Sequence, residues 1–277
     1  MYDVIAAASS TSPRGPERNQ DRVGALRIDG KGESDGVAVV ICDGVGSYPK
    51  SGTVASEVLA FTEEHIRHAG ISKGIWTLDT ALAAMNVATA DGATTLIAIG
   101  ADQSGLVSHA FVGNGSLFEV APGDASSSTS ARLRWIDLAL PHLSWGPGRP
   151  ALSSFIPAQD SEFDVAKGYR TTRRVQPHLY LACSDGIASD EKRVHAKSPQ
   201  GKFWSSVPAE LVAIIGAIED EWLTLLEDSH DDGQERLQKM VEASLVGLLD
   251  SGCLDDDASV GCVLMRPDAR PEEKVRD

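Results

Sequence analysis

The sequence predicts a layered sheet-plus-helix domain, and three observations carry that prediction. Apolar, largely β-branched runs recur along the 277 residues and stop in polar or glycine-rich turns, as at VAVVICD (37–43) and HLYLACSDG (178–186). Helical spacing lies between the early strands and again near the C-terminus, and strands return near both ends. No glycine fingerprint follows the first strand, which argues against a dinucleotide-binding βαβ fold. The length suits one large core or two small domains, and no clean linker divides it. One domain over 1–265 is expected, followed by a charged, frayed tail at 266–277.

In chain order, VIAAA (4–8) is a first strand, and the proline- and glycine-broken stretch 9–22 is a loop. VGALRI (23–28) and VAVVICD (37–43) are strands joined by the turn DGKGESDG (29–36). GTVASEVLAFTEEHIRHAG (52–70) has helical spacing, with Val54, Val58, Phe61, His65 and Ile66 on one broad face. A second helix is predicted over about 75–90, with Trp76, Leu78, Leu82 and Met85 inward. DGATTLIAIG (91–100) turns into a strand, and two short strands around Gly113-Asn114-Gly115 give a hairpin signal. Residues 124–130 read as an exposed loop and the proline-rich 141–177 as irregular. Helices are predicted at about 208–228 and 234–250, and CLDDDASVGCVLMRP is a carboxylate turn running into a last strand.

Composition narrows the function classes. Aromatics are only 5%, so the core is built largely from Val, Leu, Ile and Ala. A net charge of -15 repels nucleic acid and anionic membrane while leaving room for a local basic pocket. The cysteines at 42, 183, 253 and 262 have no CxxC spacing, so neither a zinc knuckle nor a dithiol redox site is signalled. Cys42 and Cys183 sit in apolar runs and read as small core residues, reduced in a cytoplasmic protein. The N-terminus lacks a secretory pattern, and no window approaches 18 apolar residues, so no membrane partner is expected.

Four acidic turns stand beside predicted strands: Asp21 in ERNQDR, Asp43 after AVVIC, Asp185 after LYLACS, and Asp255 to Asp257 before ASVGCVLM. Taken singly, an Asp-Gly pair reads as a solvated turn, and spacing alone does not place distant turns together. A fold that gathered such carboxylates would need a cation partner, because like charges repel and lose hydration. Mg²⁺ or Mn²⁺ suits all-oxygen ligation, and Gly44 would let the chain approach an ion closely.

The same segments, in order, resemble the metal-dependent protein serine/threonine phosphatases of the 2C type in a bacterial single-domain form. ERNQD (17–21) and VVICDGVG (39–46) resemble the first two acidic motifs, and SGTVASEVL (51–59) the helix that follows. DGATTLIAI (91–99) resembles the Gly-x-Thr-Thr strand and HAFVGNGSLFEV (109–120) the Gly-Asp-Ser-Arg hairpin. YLACSDGI (180–187) and DDASV (256–260) resemble the last two metal motifs, so the likeness spans about residues 5 to 265.

The resemblance implies an α+β fold, a four-layer α/β/β/α sandwich with two central antiparallel sheets, and a centre of two Mn²⁺ or Mg²⁺ ions. Asp21 would hold the second ion, Asp43 would bridge both, and the Gly44 carbonyl, Asp185 and Asp256 would complete the ligand set. Asp257 stands where the family has Asn and is not expected to ligate. Two ions about 3.5–4 Å apart activate a water and clamp a phosphate without a phosphoenzyme. Arg14 and Arg18 are the candidates to hold that phosphate by a bidentate pair, since Pro16 occupies the usual arginine position.

Several departures bear on activity. Gln20 stands where the family has Glu, Val45 where many relatives have His or Met, and Asn114-Gly115 where the hairpin motif has Asp-Ser. Ser47-Tyr48-Pro49 alters the pocket rim. His109 and His178 read as structural, and His142 as a candidate acid in a substrate-side flap. The resemblance therefore implies a cytoplasmic, monomeric hydrolase of phosphoserine and phosphothreonine in proteins, with a kinase or its substrates as partners. Two alternatives stay open: a degenerate domain that binds phosphoproteins or regulates a kinase, and a small-molecule phosphomonoesterase.

Overall fold

Alternate residues of the strands face opposite ways, and here both faces are apolar. A computed structural model of the chain describes residues 2–29, 35–85, 91–122, 133–139, 142–144, 151–152, 154–157, 165–171, 178–188, 195–197, 203–205, 210, 214 and 233–267. In β1 (Tyr2–Thr11), Val4, Ala6 and Ala8 face one way and Ile5 and Ala7 the other. In β3 (Gly36–Cys42), following β2 (Arg22–Ile28), Val37, Val39 and Ile41 oppose Ala38, Val40 and Cys42 in the same manner. Strands buried on both sides read as unbroken apolar runs, which is why VIAAA and VAVVIC stand out in the sequence.

Three helices follow: α1 (Ser51–Ala69), α2 (Ile71–Trp76) and α3 (Leu78–Ala83). Then come β4 (Ala93–Thr94), β5 (Leu96–Asp102), β6 (Leu106–Val112), β7 (Ser116–Pro122) and β8 (Leu133–Asp137). The short strands β9 (Leu143–Ser144), β10 (Ala151–Leu152) and β11 (Ile156–Pro157) lead to β12 (Ala166–Thr171) and β13 (His178–Cys183). The chain continues through α4 (Asp185–Ala188), β14 (His195–Lys197), β15 (Phe203–Ser205), α5 (Gly233–Asp250) and β16 (Ala258–Pro267).

Two five-stranded antiparallel sheets form, with orders β1-β16-β13-β7-β8 and β12-β6-β5-β3-β2. Three apolar clusters separate four layers. One packs α1, α2 and α3 on the second sheet through Val54, Val58, Ile66, Ile75 and Leu78. One lies between the sheets around Ile97, Phe111, Tyr180 and Met265. The third packs α5 on the first sheet through Leu237, Val241 and Leu245. The expected α/β/β/α sandwich with two central antiparallel sheets is therefore present. No helix among the described residues is long and apolar enough to cross a membrane.

Four expectations change. The hairpin at 105–123 does not form: β6 pairs with β5 and β12, while β7 pairs with β13 and β8. Gly113, at φ 122, turns the chain where a side chain would collide with Thr95, so the linker steps from one sheet to the other. The helix expected over 75–90 is two short helices that meet at Thr77; Trp76 is 45% exposed while Leu78 and Leu82 are buried. The stretch taken as irregular contains β12, a polar edge strand whose Gly168 leaves room for the His109 ring. The last strand runs through Pro267, with Arg266 paired to Asp3, so the tail boundary moves past 265. The 124–130 loop, residues 86–90, the tail beyond 267 and, apart from Glu210 and Ile214, the helix at 208–228 lie outside the described residues.

Candidate functional site

Antiparallel register brings the residue before one strand opposite the residue after its partner. Arg22 pairs with Cys42, so Asp21, just before β2, faces Asp43, just after β3. Cys183 pairs with Val260, and the Ser184 amide donates to the Ser259 carbonyl at 3.0 Å, which sets the Asp185-Gly186 turn beside Asp257. The two sheets stack with these ends on the same side, so four acidic turns far apart in sequence share one edge of the sandwich.

The glycine of each Asp-Gly pair makes the close approach possible. A Cβ on Gly44 would stand 2.8 Å from Gln20 Cβ, and one on Gly186 would fall inside the Asp257 carbonyl oxygen. Gly44 thus seats Asp43 against the Asp21 segment, and Gly186 seats Asp185 against the Asp257 segment. The turn after β3 is pinned further by the Gly-Ala-Thr-Thr stretch. The Thr95 amide and Thr94 hydroxyl donate to the Asp43 carbonyl at 2.8 and 2.9 Å, and the Val45 amide donates to the Ala93 carbonyl at 3.0 Å.

The carboxylates meet in a poorly solvated place. Asp21 is buried; its Oδ2 accepts from the Ser259 hydroxyl at 2.7 Å, and its Oδ1 has no hydrogen-bond partner among the described residues. Burial, opposed chiefly by the Ser259 hydrogen bond, pushes its pKa up to about 6. Asp43 keeps part of its surface open, yet enclosure of its carboxyl, then the charges of Asp21 and Asp185, drive its pKa well above the usual carboxylate range. Asp257 is 4% exposed; its Oδ2 accepts from the Gln20 amide at 2.8 Å, and its Oδ1 lies 2.8 Å from Arg14 without a hydrogen bond of good geometry. Among the described residues, no three His, Cys, Asp or Glu side chains close on one point as a preformed ion cage.

The structure draws Asp21, Asp43 and Asp185 together around Asp43. Of the last pair, Asp257 is the buried carboxylate, while Asp256 is 58% exposed and accepts from Arg14 at 2.8 Å. The Gly44 carbonyl lies in this turn, where Gly44 bridges Thr94. Arg14 joins the cluster; Arg18 makes no ion pair with it and lines an adjacent cleft of about 410 Å³. That cleft is bounded also by Arg14, Glu17, Arg22, Lys50 and the first turn of α1 at Gly52 and Thr53. Asn114 donates to Asp185 Oδ2 at 2.6 Å, so the residue standing in place of Asp tethers a carboxylate instead. Ser184, Ser259, Thr94 and Thr95 escaped notice because hydroxyls beside strand ends are common and only their partners give them a role.

No family model and no curated protein sequence matches the chain. Solved structures do. The catalytic domain of the Mycobacterium tuberculosis serine/threonine phosphatase PstP, in complex with two manganese ions, aligns at a TM-score of 0.56 with 16% identity, over 96% of this chain and 100% of that one. A bacterial serine phosphatase aligns at 0.62 with 12% identity, over 97% and 100%. The PP2C phosphatase domain of SpoIIE from Bacillus subtilis, with a fragment of its regulatory domain, aligns at 0.53 with 16% identity; the match covers 96% of this chain and 64% of that one. The chain has the PP2C phosphatase fold.

On this PP2C fold, three of the four cysteines are closed off from solvent, and the fourth, Cys253, is exposed. Cys42 and Cys262 are fully buried and burial pushes both thiols far up, while Cys183 is buried too. His178 and Glu119 are buried together, 3.4 Å apart, at the end of β13 away from the carboxylates. The ring of His142 is held by the Gly113 amide, which donates to Nδ1 at 3.2 Å, and packs edge-on against Phe111. This places His142 at the crossover beside Asn114 on the PP2C scaffold.

Proposed function

We propose that the chain is a metal-dependent hydrolase of phosphoserine and phosphothreonine in proteins. The observation that carries this reading is the convergence of Asp21, Asp43 and Asp185, with an orphaned buried oxygen on Asp21, beside a cation-lined cleft. Buried carboxylates with raised pKa and an unsatisfied oxygen suit a hard divalent cation. The donor set is all oxygen, which fits Mn²⁺ or Mg²⁺, and the PstP domain of the same fold is in complex with two manganese ions. Asp21, Asp43, the Gly44 carbonyl and Asp185 would hold two such ions, with one carboxylate from the 256–257 pair. Bound ions supply an activated water and neutralise phosphoryl oxygens.

The chain's own groups do the rest. Asp43 is fixed at its main-chain carbonyl by Thr94 and Thr95, which sets where its Cα stands in the site. The Ser259 hydroxyl donates to Asp21 Oδ2, and Ser184 Oγ in turn accepts from the Ser259 amide. Arg14, whose guanidinium reaches Asp256 and Asp257, would take a phosphoryl group by paired hydrogen bonds. Arg18 stands farther along the cleft.

Burial separates the two aspartates of the last turn. Asp257→Asn is expected to weaken Mn²⁺ binding by roughly tenfold or more, and Asp256→Asn by less than about threefold, in calorimetric titrations of both variants. Equal losses, or a larger loss in Asp256→Asn, would restore Asp256 as the ligand.

A second reading is a domain that binds phosphoproteins without turnover, with a kinase or its substrates as partners. It is favoured by the Asn114 bond that occupies Asp185 Oδ2. Hydrolysis of para-nitrophenyl phosphate and of a phosphothreonine peptide separates the two. Turnover that requires Mn²⁺ or Mg²⁺ and is abolished by chelation is expected; phosphopeptide binding with no turnover at saturating Mn²⁺ would favour the second reading.

A further inference from the structure

The cleft beside the carboxylates is unusual in its charges. The chain has 40 acidic against 25 basic residues, and Arg27, Arg67, Lys167, Lys239 and Arg266 each pair with a carboxylate. Arg18, Arg22 and Lys50 line the cleft and, among the described residues, none of their side chains pairs with an acid. Arg22 is anchored by donating from Nε to the Ser56 hydroxyl at 2.8 Å and from Nη1 to the Asn19 and Asp21 carbonyls at 2.8 and 2.7 Å. Those bonds fix the guanidinium without neutralising it. A Cβ on Gly52 would stand 3.6 Å from its Nη2, so that nitrogen lies over the first turn of α1. The single acid in the lining, Glu17, has its carboxylate close against Gly15. Lys50 precedes α1 without capping it by a side-chain hydrogen bond, so the positive end of a 19-residue helix adds to the same field.

Cations left unpaired in an acid-rich chain, with Arg22 held in place among them, mark a place for an external anion. Arg14, paired with Asp256 and Asp257 at the carboxylate end, stands apart from the other three cations, so the cleft offers two anion positions. One is at Arg14 beside the carboxylates, the other at Arg18, Arg22 and Lys50. We propose that the second position recognises an acidic group flanking the phosphorylated residue of a protein substrate, either a carboxylate side chain or a second phosphate. This rests on the phosphatase reading above and adds a substrate class to it.

The test uses the full chain with Mn²⁺ and four probes. They are para-nitrophenyl phosphate and three phosphothreonine peptides that differ only in the flanking residue: neutral, aspartate or a second phosphothreonine. Partly exposed charge contacts are worth roughly two- to threefold each, so three predict a kcat/KM about tenfold higher for an acidic than for a neutral flank. The preference shrinks as salt rises. The aspartate and diphosphorylated arms tell the two anion sources apart. Lys50→Gln is expected to lower the acidic-to-neutral ratio to about fourfold, and Lys50→Glu to about twofold, since Arg18 and Arg22 remain. Turnover of para-nitrophenyl phosphate without a flank preference, or a preference unchanged in both Lys50 variants, overturns the subsite and leaves the phosphatase reading standing. If para-nitrophenyl phosphate is not hydrolysed, the phosphatase reading falls. The subsite is then decided by calorimetric Kd values for the same peptides, where an acidic preference reduced in Lys50→Gln supports it and equal values overturn it.

Discussion

Asp43→Asn is expected to abolish phosphoester hydrolysis and, at the same time, to stabilise the metal-free protein. The loss of activity should reach about a thousandfold, because the ions of such a site supply several kcal/mol of transition-state charge stabilisation. The gain in stability follows from where Asp43 sits. Its carboxyl is enclosed and faces Asp21 and Asp185, and its pKa is raised well above the usual value. A carboxyl whose folded pKa is raised favours folding below its unfolded pKa, and that contribution is lost as pH climbs through the folded pKa. For Asp21, raised from 3.8 to about 6, the metal-free protein loses stability between those two values; Asp43 extends the loss to higher pH. Replacing Asp43 by a neutral amide removes one enclosed charge and relieves Asp21, a gain of about 0.5–2 kcal/mol near neutral pH. Thermal melts from pH 4 to 8 in chelator should show a flatter pH dependence in the variant. Saturating Mn²⁺ should reverse the order, since only the wild type gains binding free energy. A variant that melts lower than wild type in chelator at pH 7.5 would remove the electrostatic account of the cluster.

Gly186→Ala is expected to be the most damaging single-methyl change at the site. The added Cβ would fall well inside the Asp257 carbonyl oxygen and close to the Ala258 Cα, both backbone atoms that cannot rotate away. Relief requires the α4 turn and the start of β16 to separate, which breaks the Ser184 amide bond to Ser259 and the Ser259 amide bond to Ser184 Oγ. Overpacking against fixed backbone costs about 3 kcal/mol, or roughly 6–10 °C of melting temperature for a chain of this size. The same displacement moves Asp185 away from Asp43, so Mn²⁺ affinity should fall with stability. Gly247→Ala is a control, because a Cβ there meets nothing within 4 Å. A melting temperature for Gly186→Ala within a degree of that control would mean the turn is looser than its packing indicates.

Both predictions concern contacts between segments far apart in the chain, and there the limits of sequence reading are clearest. The order of the apolar runs, their Asp-Gly endings and the helix after Asp43 are local features, and they were legible. Burial on both faces leaves a continuous apolar signature, so β3, β5, β13 and β16 announced themselves. The hairpin at Gly113 was misread because a glycine turn between two apolar runs looks the same whether the runs pair with each other or with different sheets. Strand β12 was missed because an edge strand tolerates lysine, glycine and arginine, and so carries little apolar signal.

The sequence by itself determined which residue types lie at the strand ends: aspartates followed by glycine, with arginines in the loop before β2. Backbone propensity and apolar patterning act over a few residues and are written locally. Only the tertiary structure decided which carboxylates meet, that Asp257 is enclosed while Asp256 lies open against Arg14, and that Arg18, Arg22 and Lys50 share one cleft. Those relations come from strand register and sheet stacking between separate segments, Arg14 and Asp256 being 242 residues apart. A one-residue choice such as Asp256 or Asp257 depends on which side of a strand end faces the other sheet, and ASVGCVLM has the same composition for either answer.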